Sequence, residues 1–233
     1  MKIEGRNPVI ETLRSNRKVI RLLLQKNINV DSKIAEMLTK CQERSIEIIY
    51  KDKKSLDDIS STHSHQGVIA EVAETREPKL DEVINFEKIN RLIYIRDASH
   101  THNIGAIIRT AECAGYDAVI LPPKIKITGD IVRAAMGATE HIPVLHYSLF
   151  QLIKDIKKLA FTIYAIERSD SAINYTDIDY SNNFVLIIGG EDKSLTNELF
   201  DKCDQTIKIP MHGKVNSLNM SVAAAIVIYK SIE

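Results

Sequence analysis

Residues 91–115 read Arg91-Leu92-Ile93-Tyr94-Ile95-Arg96-Asp97-Ala98-Ser99-His100-Thr101-His102-Asn103-Ile104-Gly105-Ala106-Ile107-Ile108-Arg109-Thr110-Ala111-Glu112-Cys113-Ala114-Gly115. Leu92 to Ile95 is an unbroken apolar run of strand length, and after a polar stretch the apolar residues recur at helical spacing. Asn103 is placed to cap that helix and Gly115 to end it. At about 100° per residue, Ile104, Ile107, Ile108, Ala111 and Ala114 share one stripe and Arg109 points away from it. Around Arg109 stand Gly105, Ala106 and Cys113, small residues that leave room for a ligand or another chain. The plain alternative is a solvated surface arginine. A buried strand, a polar loop and an amphipathic helix are the first half of a βαβ unit, which puts the chain in the α/β class.

The same alternation continues outward. Ala118 to Leu121, Phe161 to Ile166, Phe184 to Ile188 and Thr206 to Ile209 are further strand-like runs separated by helical stretches, which predicts a largely parallel sheet with helices on both faces. Ligands of such sheets sit beyond the carboxyl ends of the strands. After Phe184–Ile188 come Gly189-Gly190-Glu191-Asp192-Lys193-Ser194, two glycines that admit close backbone approach with a carboxylate behind them. After Thr206–Ile209 come Pro210-Met211-His212-Gly213-Lys214-Val215 and then Asn216-Ser217-Leu218-Asn219, leading into the nearly all-apolar stretch Met220-Ser221-Val222-Ala223-Ala224-Ala225-Ile226. A helix so apolar is expected to be buried, and its opening segment carries more polar groups than capping requires, which points to a ligand or partner. No GxGxxG and no P-loop occurs, which counts against a conventional dinucleotide or nucleoside-triphosphate site.

The N-terminal side is organised differently. Asn7 to Ser15 reads as a short helix with Pro8 in its first turn, Val19 to Leu24 as a strand, Ser32 to Arg44 as a helix, and Ile46 to Tyr50 and Gly67 to Val72 as strands. This is a small α/β unit over residues 1–73. The charged, Pro-containing stretch Glu74-Thr75-Arg76-Glu77-Pro78-Lys79 marks a linker, taken as residues 74–90, before a second domain at 91–233. Lys+Arg and Asp+Glu both total 31, so the whole chain makes no electrostatic case for nucleic acid. Locally, however, Lys2, Arg6, Arg14, Arg17, Lys18, Arg21 and Lys26 face only Glu4 and Glu11, a stretch able to meet phosphate or simply to be solvated. Three cysteines without a CxxC pair, no leader and no apolar run of membrane length suggest a cytoplasmic protein with reduced thiols. The pairs His63/His65 and His100/His102 lack a third ligand at convincing spacing, so no metal is assigned.

Jointly, these segments resemble the three motifs of the SpoU/TrmH family of S-adenosylmethionine-dependent RNA 2′-O-ribose methyltransferases, within the SPOUT superfamily. Asn103-x-Gly105-Ala106-Ile107-x-Arg109-Thr110-Ala111 resembles the first motif and Ile188-Gly189-Gly190-Glu191 the second. Ile209-Pro210-Met211 with Ser217-Leu218-Asn219-x-Ser221-Val222-Ala223 resembles the third, in the same order and spacing. The segments Gly5-Arg6-Asn7-Pro8-Val9 and His65-Gln66-Gly67-Val68 resemble the ends of the small ribosomal-protein-like RNA-binding domain found in the family's two-domain branch, which acts on guanosine of 23S rRNA.

The resemblance implies an α/β domain with a deep trefoil knot, working as a homodimer, although unthreaded connections are the physical default. It implies S-adenosylmethionine as cofactor, held largely by main chain at Gly189, Gly190, Ile209, Met211 and Leu218. Arg109, Asn103, Glu191, Ser217 and Asn219 become the expected catalytic or site-shaping residues, and Arg6, Asn7, Arg21, His65 and Gln66 the expected RNA contacts. Two departures stand out: His100-Thr101 replaces the family's Asp-Pro, and Asp192-Lys193-Ser194 replaces further glycines. The leading expectation is methylation of large-subunit rRNA. The alternatives are a tRNA or another rRNA site, or an RNA-binding assembly factor without catalysis.

Overall fold

The computed structural model describes residues 1–96, 100–169, 171–189 and 202–233. The chain forms two compact units. The first comprises Met1–Arg76 together with Ile127–His141, and the second Glu77–Lys126 together with Ile142–Glu233.

The first unit is built from β1 (Lys2–Glu4), α1 (Arg6–Arg14), β2 (Val19–Gln25), α2 (Ser32–Glu43), β3 (Glu47–Lys51), α3 (Lys53–Ile59) and β4 (Val68–Val72). It also contains α6 (Gly129–Ala134) and a 3-10 turn at Ala138–Glu140 from later in the chain. Its four strands are ordered β1-β4-β2-β3, with β4 antiparallel to both neighbours and β2 parallel to β3. Strand periodicity explains the two layers of side chains. Leu22 and Leu24 face Val9, Ile10 and Leu13 of α1 and Ile34 and Met37 of α2, while Leu23, between them, meets Leu56 of α3 and Ile69 of β4. Val132 of α6 is buried in the α1–α2 core. Asp31 caps α2 and Asp52 caps α3 through their carboxylates.

The second unit contains α4 (Leu80–Val83), β5 (Arg91–Ile95), α5 (Thr101–Cys113), β6 (Ala118–Leu121), β7 (Val144–His146), α7 (Leu149–Lys158), β8 (Thr162–Ile166), β9 (Ile173–Asn174), β10 (Phe184–Ile188), β11 (Gln205–Lys208) and α8 (Met220–Lys230). The sheet order is β7-β6-β5-β10-β8-β11-β9, with every pair parallel. One face, carrying Leu92, Tyr94, Ile163, Ala165, Val185 and Ile187, packs on Leu152, Ile153 and Ile156 of α7. Leu80 and Ile84 join that core, so the stretch following Pro78 is folded into the second unit. On the other side α5 packs against α8 and β6. The stripe on α5 is the expected one, with Ile104, Ile107, Ile108 and Ala111 buried and Arg109 exposed. Gly115, at φ 71°, closes the helix: its N–H donates to the Glu112 carbonyl and that of Tyr116 to Ala111. No helix among the described residues is long and apolar enough to cross a membrane.

One buried carboxylate organises the loop between α3 and β4. Glu4, 3% exposed, accepts hydrogen bonds from the hydroxyls of Ser60 (2.5 Å), Ser61 (3.0 Å) and Thr62 (2.6 Å) and from the N–H groups of Ser61 (2.8 Å) and Thr62 (3.3 Å). Burial alone would raise its pKa, but the donated hydrogen bonds outweigh burial and hold it at about 2. A carboxyl depressed in the folded state stabilises fully above its ordinary value of about 4.5, and that contribution is lost as pH falls through about 2. Replacing Glu4 by Gln is expected to cost about 3 kcal/mol near neutral pH. Urea unfolding of both proteins should show this difference shrinking steadily as pH drops toward about 2; a difference that does not change with pH would refute the charged cradle.

Candidate active site

Four neighbouring parallel strands of the second unit, β5, β10, β8 and β11, end side by side. Ile188 of β10 is in register with Ile95 of β5 and Ile166 of β8, and Ile207 of β11 is in register with Ile166. Beyond these ends opens a cavity of about 600 Å³, within the range of sites that bury small organic ligands. Its floor is apolar, formed by Ile166, Ile188, Ile207, Met220 and Ala223. Gly189, Lys208, Ile209 and Met211, where β10 and β11 run out, and the segment Asn216, Ser217, Leu218 and Asn219 close its lining. A planar apolar group fits such a floor, while the backbone leaving β10 and β11 offers polar groups outside the sheet's ladder.

Two side-chain contacts hold the closing segment. The Arg168 guanidinium donates to the Asn216 carbonyl at 3.3 Å. Asn219 is the N-cap of α8: its Oδ1 accepts from the N–H groups of Ser221 (2.8 Å) and Val222 (3.4 Å) and from the Ser221 hydroxyl (2.6 Å). Its Nδ2 then donates to Asn103 Oδ1 at 3.1 Å. Asn103 is therefore not the cap that the sequence suggested. His100 is the N-cap residue and α5 starts at Thr101, which leaves Asn103 in the first turn, buried and turned to Asn219.

The structure brings together Gly189, Ile209, Met211, Ser217, Leu218 and Asn219 in one cavity, with Asn103 joined to it through Asn219. Arg109 does not line the cavity; it is exposed on the outer face of α5. Gly190 and Glu191 lie outside the described residues. Sequence reasoning missed Glu167, Arg168 and Lys208, although the first two directly follow a strand-like run, the position where a parallel sheet presents its ligand contacts. It also expected α8 to be buried. Ala224, Val227 and Ile228 are, but Val222, Tyr229 and, just past the helix, Ile232 are 47%, 49% and 37% exposed.

In the first unit, the segments around Arg6 and Gln66 meet. The N–H of Arg6 donates to Gln66 Oε1 at 3.0 Å, and its Nε to the Gln66 carbonyl at 3.4 Å. Arg6 also pairs with Asp31 (2.6 Å) and Arg21 with Glu71 (2.6 Å). Asn7 accepts from Lys33 and donates to Met136 Sδ. His65 is buried, its Nδ1 accepting from the Gly67 N–H (2.9 Å), which leaves the proton on Nε2 for Asp57 (2.9 Å). It thereby shapes the turn that presents Gln66.

Residues 90–229 match the model of the SpoU rRNA Methylase family, and residues 2–78 match that of the RNA 2′-O ribose methyltransferase substrate-binding domain. The chain belongs to the SpoU rRNA methylase family. It is 33% identical to YacO of Bacillus subtilis, named as a TrmH family tRNA/rRNA methyltransferase, over 97% of this chain and 92% of that one. The SpoU methyltransferase AviRb of Streptomyces viridochromogenes, solved with AdoMet, superposes with a TM-score of 0.82 over 100% of this chain and 89% of its own, at 22% identity. An AdoMet-bound rRNA methyltransferase of Sinorhizobium meliloti also gives a TM-score of 0.82, over 99% and 85%, at 24% identity. These two likenesses place the chain in the SpoU fold.

The asparagine pair between the first and third SpoU motifs has a measurable signature. Asn219→Ala removes an N-cap and is expected to cost about 1 kcal/mol. In a double-mutant cycle with Asn103→Ala, chemical denaturation should give a coupling of about 0.5–1 kcal/mol; strictly additive losses would show that the contact contributes nothing.

Proposed function

We propose that the protein transfers the methyl group of S-adenosylmethionine to a ribose 2′-hydroxyl of RNA, with a guanosine of 23S rRNA as acceptor, and that it acts as a cytoplasmic homodimer. Residues 1–73 serve RNA recognition and residues 91–233 the transfer. The observation that carries this reading is the gathering of residues from motifs far apart in sequence around one cavity at the strand ends. The RNA substrate-binding match over residues 2–78 supports an RNA acceptor.

The cavity suits the cofactor chemically. Ile166, Ile188 and Ile207 offer an apolar bed for a purine, and the backbone at Gly189, Ile209, Met211 and Leu218 offers hydrogen-bonding groups to its polar edges. When bound, S-adenosylmethionine supplies an electrophilic methyl on a sulfonium that leaves as a neutral thioether. The chain's task is then to place the ribose oxygen in line with that methyl, so most of the rate comes from positioning and electrostatics. Ser217 and Asn219 shape the acceptor side, with Asn103 holding Asn219, and Glu191 completes the polar set. A guanidinium is a poor general base, so proton removal is not assigned to Arg109. It orients the substrate phosphate and stabilises the developing alkoxide, while phosphate or a neighbouring group assists proton removal. The exposed apolar side chains Val222, Tyr229 and Ile232 support a second copy covering this side of α8.

Methyl-labelled S-adenosylmethionine incubated separately with unmodified 23S rRNA and with tRNA tests the assignment. Label is expected in rRNA and is expected to fall at least about 100-fold with Arg109→Ala. Label in tRNA alone would move the target to tRNA. RNA binding with label in neither would leave an assembly factor.

A further inference from the structure

The first unit has a cavity of its own, about 690 Å³, whose lining includes three of the expected RNA contacts, Asn7, His65 and Gln66, together with residues that no motif assigns. Four stretches of chain far apart in sequence line it: Gly5, Asn7 and Pro8; Gln25; residues 63–67 with Lys53 and Asp57; and Arg133 with Met136. The last two come from the portion of the chain matched by the methylase model, yet they fold with the RNA-binding unit. Gly137 fixes them there. It has φ 93°, and a Cβ at this position would lie 2.6 Å from Glu11 Cβ and 3.3 Å from Pro8 Cα.

The cavity wall is unusually strained. Six non-glycine residues among those described have positive φ, and three of them, His63, Gln66 and Met136, line this cavity. Non-glycine residues are held in the left-handed region where the surrounding structure over-determines them, and they concentrate at ligand sites. The chemistry of the lining is mixed in a specific way. Pro8 and Met136 offer apolar surface. Gln25 and Gln66 carry amides with both donor and acceptor, and Gln66 spends its Oε1 on the Arg6 N–H. Lys53 and Arg133 supply positive charge, Arg133 reaching Asp130 only at 3.4 Å.

We propose that this cavity holds one unpaired nucleotide of the substrate RNA, other than the one methylated: its base lies against Pro8 and Met136 with its edge read by Gln25 and Gln66, and its phosphate is met by Lys53 and Arg133. Unpaired nucleotides are the part of RNA whose base edges are open to side chains. No residue lines both this cavity and the one at the strand ends of the second unit, so the two are separate sites. The proposal rests on the reading of the protein as an RNA methyltransferase and adds an anchoring position to it.

Methionine-methyl NMR on the full chain separates the two sites, because Met136 lines the first cavity while Met211 and Met220 line the second. Single-stranded RNA oligonucleotides should shift Met136, and S-adenosylmethionine should shift Met211 and Met220 while leaving Met136 in place. Lys53→Gln with Arg133→Gln should weaken RNA binding about tenfold and reduce the salt slope by about 0.7 per cation removed, with S-adenosylmethionine affinity unchanged. RNA binding that leaves Met136 unshifted and the variant's slope at the wild-type value would overturn the cavity assignment and leave the reaction standing. A shifted Met136 in a protein that transfers no methyl to any RNA would keep the cavity and remove the reaction. Absence of RNA binding by the wild type would overturn both.

Discussion

Phe184 to Ile188 is a strand with no solvent face: all five residues are buried. A strand hidden on both sides must lie inside a sheet covered by helices on both faces, and β10 does so by inserting between β5 and β8, although it follows β8 in the chain. That insertion aligns the carboxyl ends of β5, β10 and β8 and delivers Gly189 to the crevice they leave. The segment running from β11 to the start of α8 then closes the crevice. Asn219 does two jobs there: it caps the helix and reaches across to Asn103. The site is therefore a consequence of strand order, with a few polar side chains fixing its lip.

Much of this was legible in the sequence, and the misses share a cause. The runs at Leu92, Ala118, Phe161, Phe184 and Thr206 all became strands with ends moved by a residue or so, because continuous apolar runs between helical stretches have one low-energy home. The stripe on α5 followed from angular spacing alone. Asn103 was misread because capping is a local rule, whereas its actual partner is Asn219, in a segment that no local rule connects to it. Arg168 escaped for the same reason, its role being set by a carbonyl at Asn216. The outer side of α8 was misjudged because an apolar helix is buried by whatever covers it, and a single chain need not supply the cover.

The N-terminal charges show how a count can mislead in the other direction. Read along the chain, Arg6, Arg14, Arg17 and Arg21 form a basic stretch. In the fold, each meets a carboxylate from elsewhere: Asp31, Glu36, Glu140 and Glu71 respectively. Their positive charge is thus largely balanced within the first unit. This fits the formal neutrality of the whole chain.

Because α6 and its following turn belong to the first unit's core, the unit is discontinuous in sequence: Val132 is packed among Val9, Ile10 and Leu13, and Arg17 is paired with Glu140. Chains fold as they leave the ribosome, N-terminal parts first. Here the first unit cannot close when residue 76 has emerged. It must wait, with the place for Val132 open, until the first two strands of the other sheet have been made and residue 141 is out. The two units are thereby interleaved in the order of synthesis, and an RNA-binding half cut free at the end of its N-terminal segment would be missing a piece of its own interior.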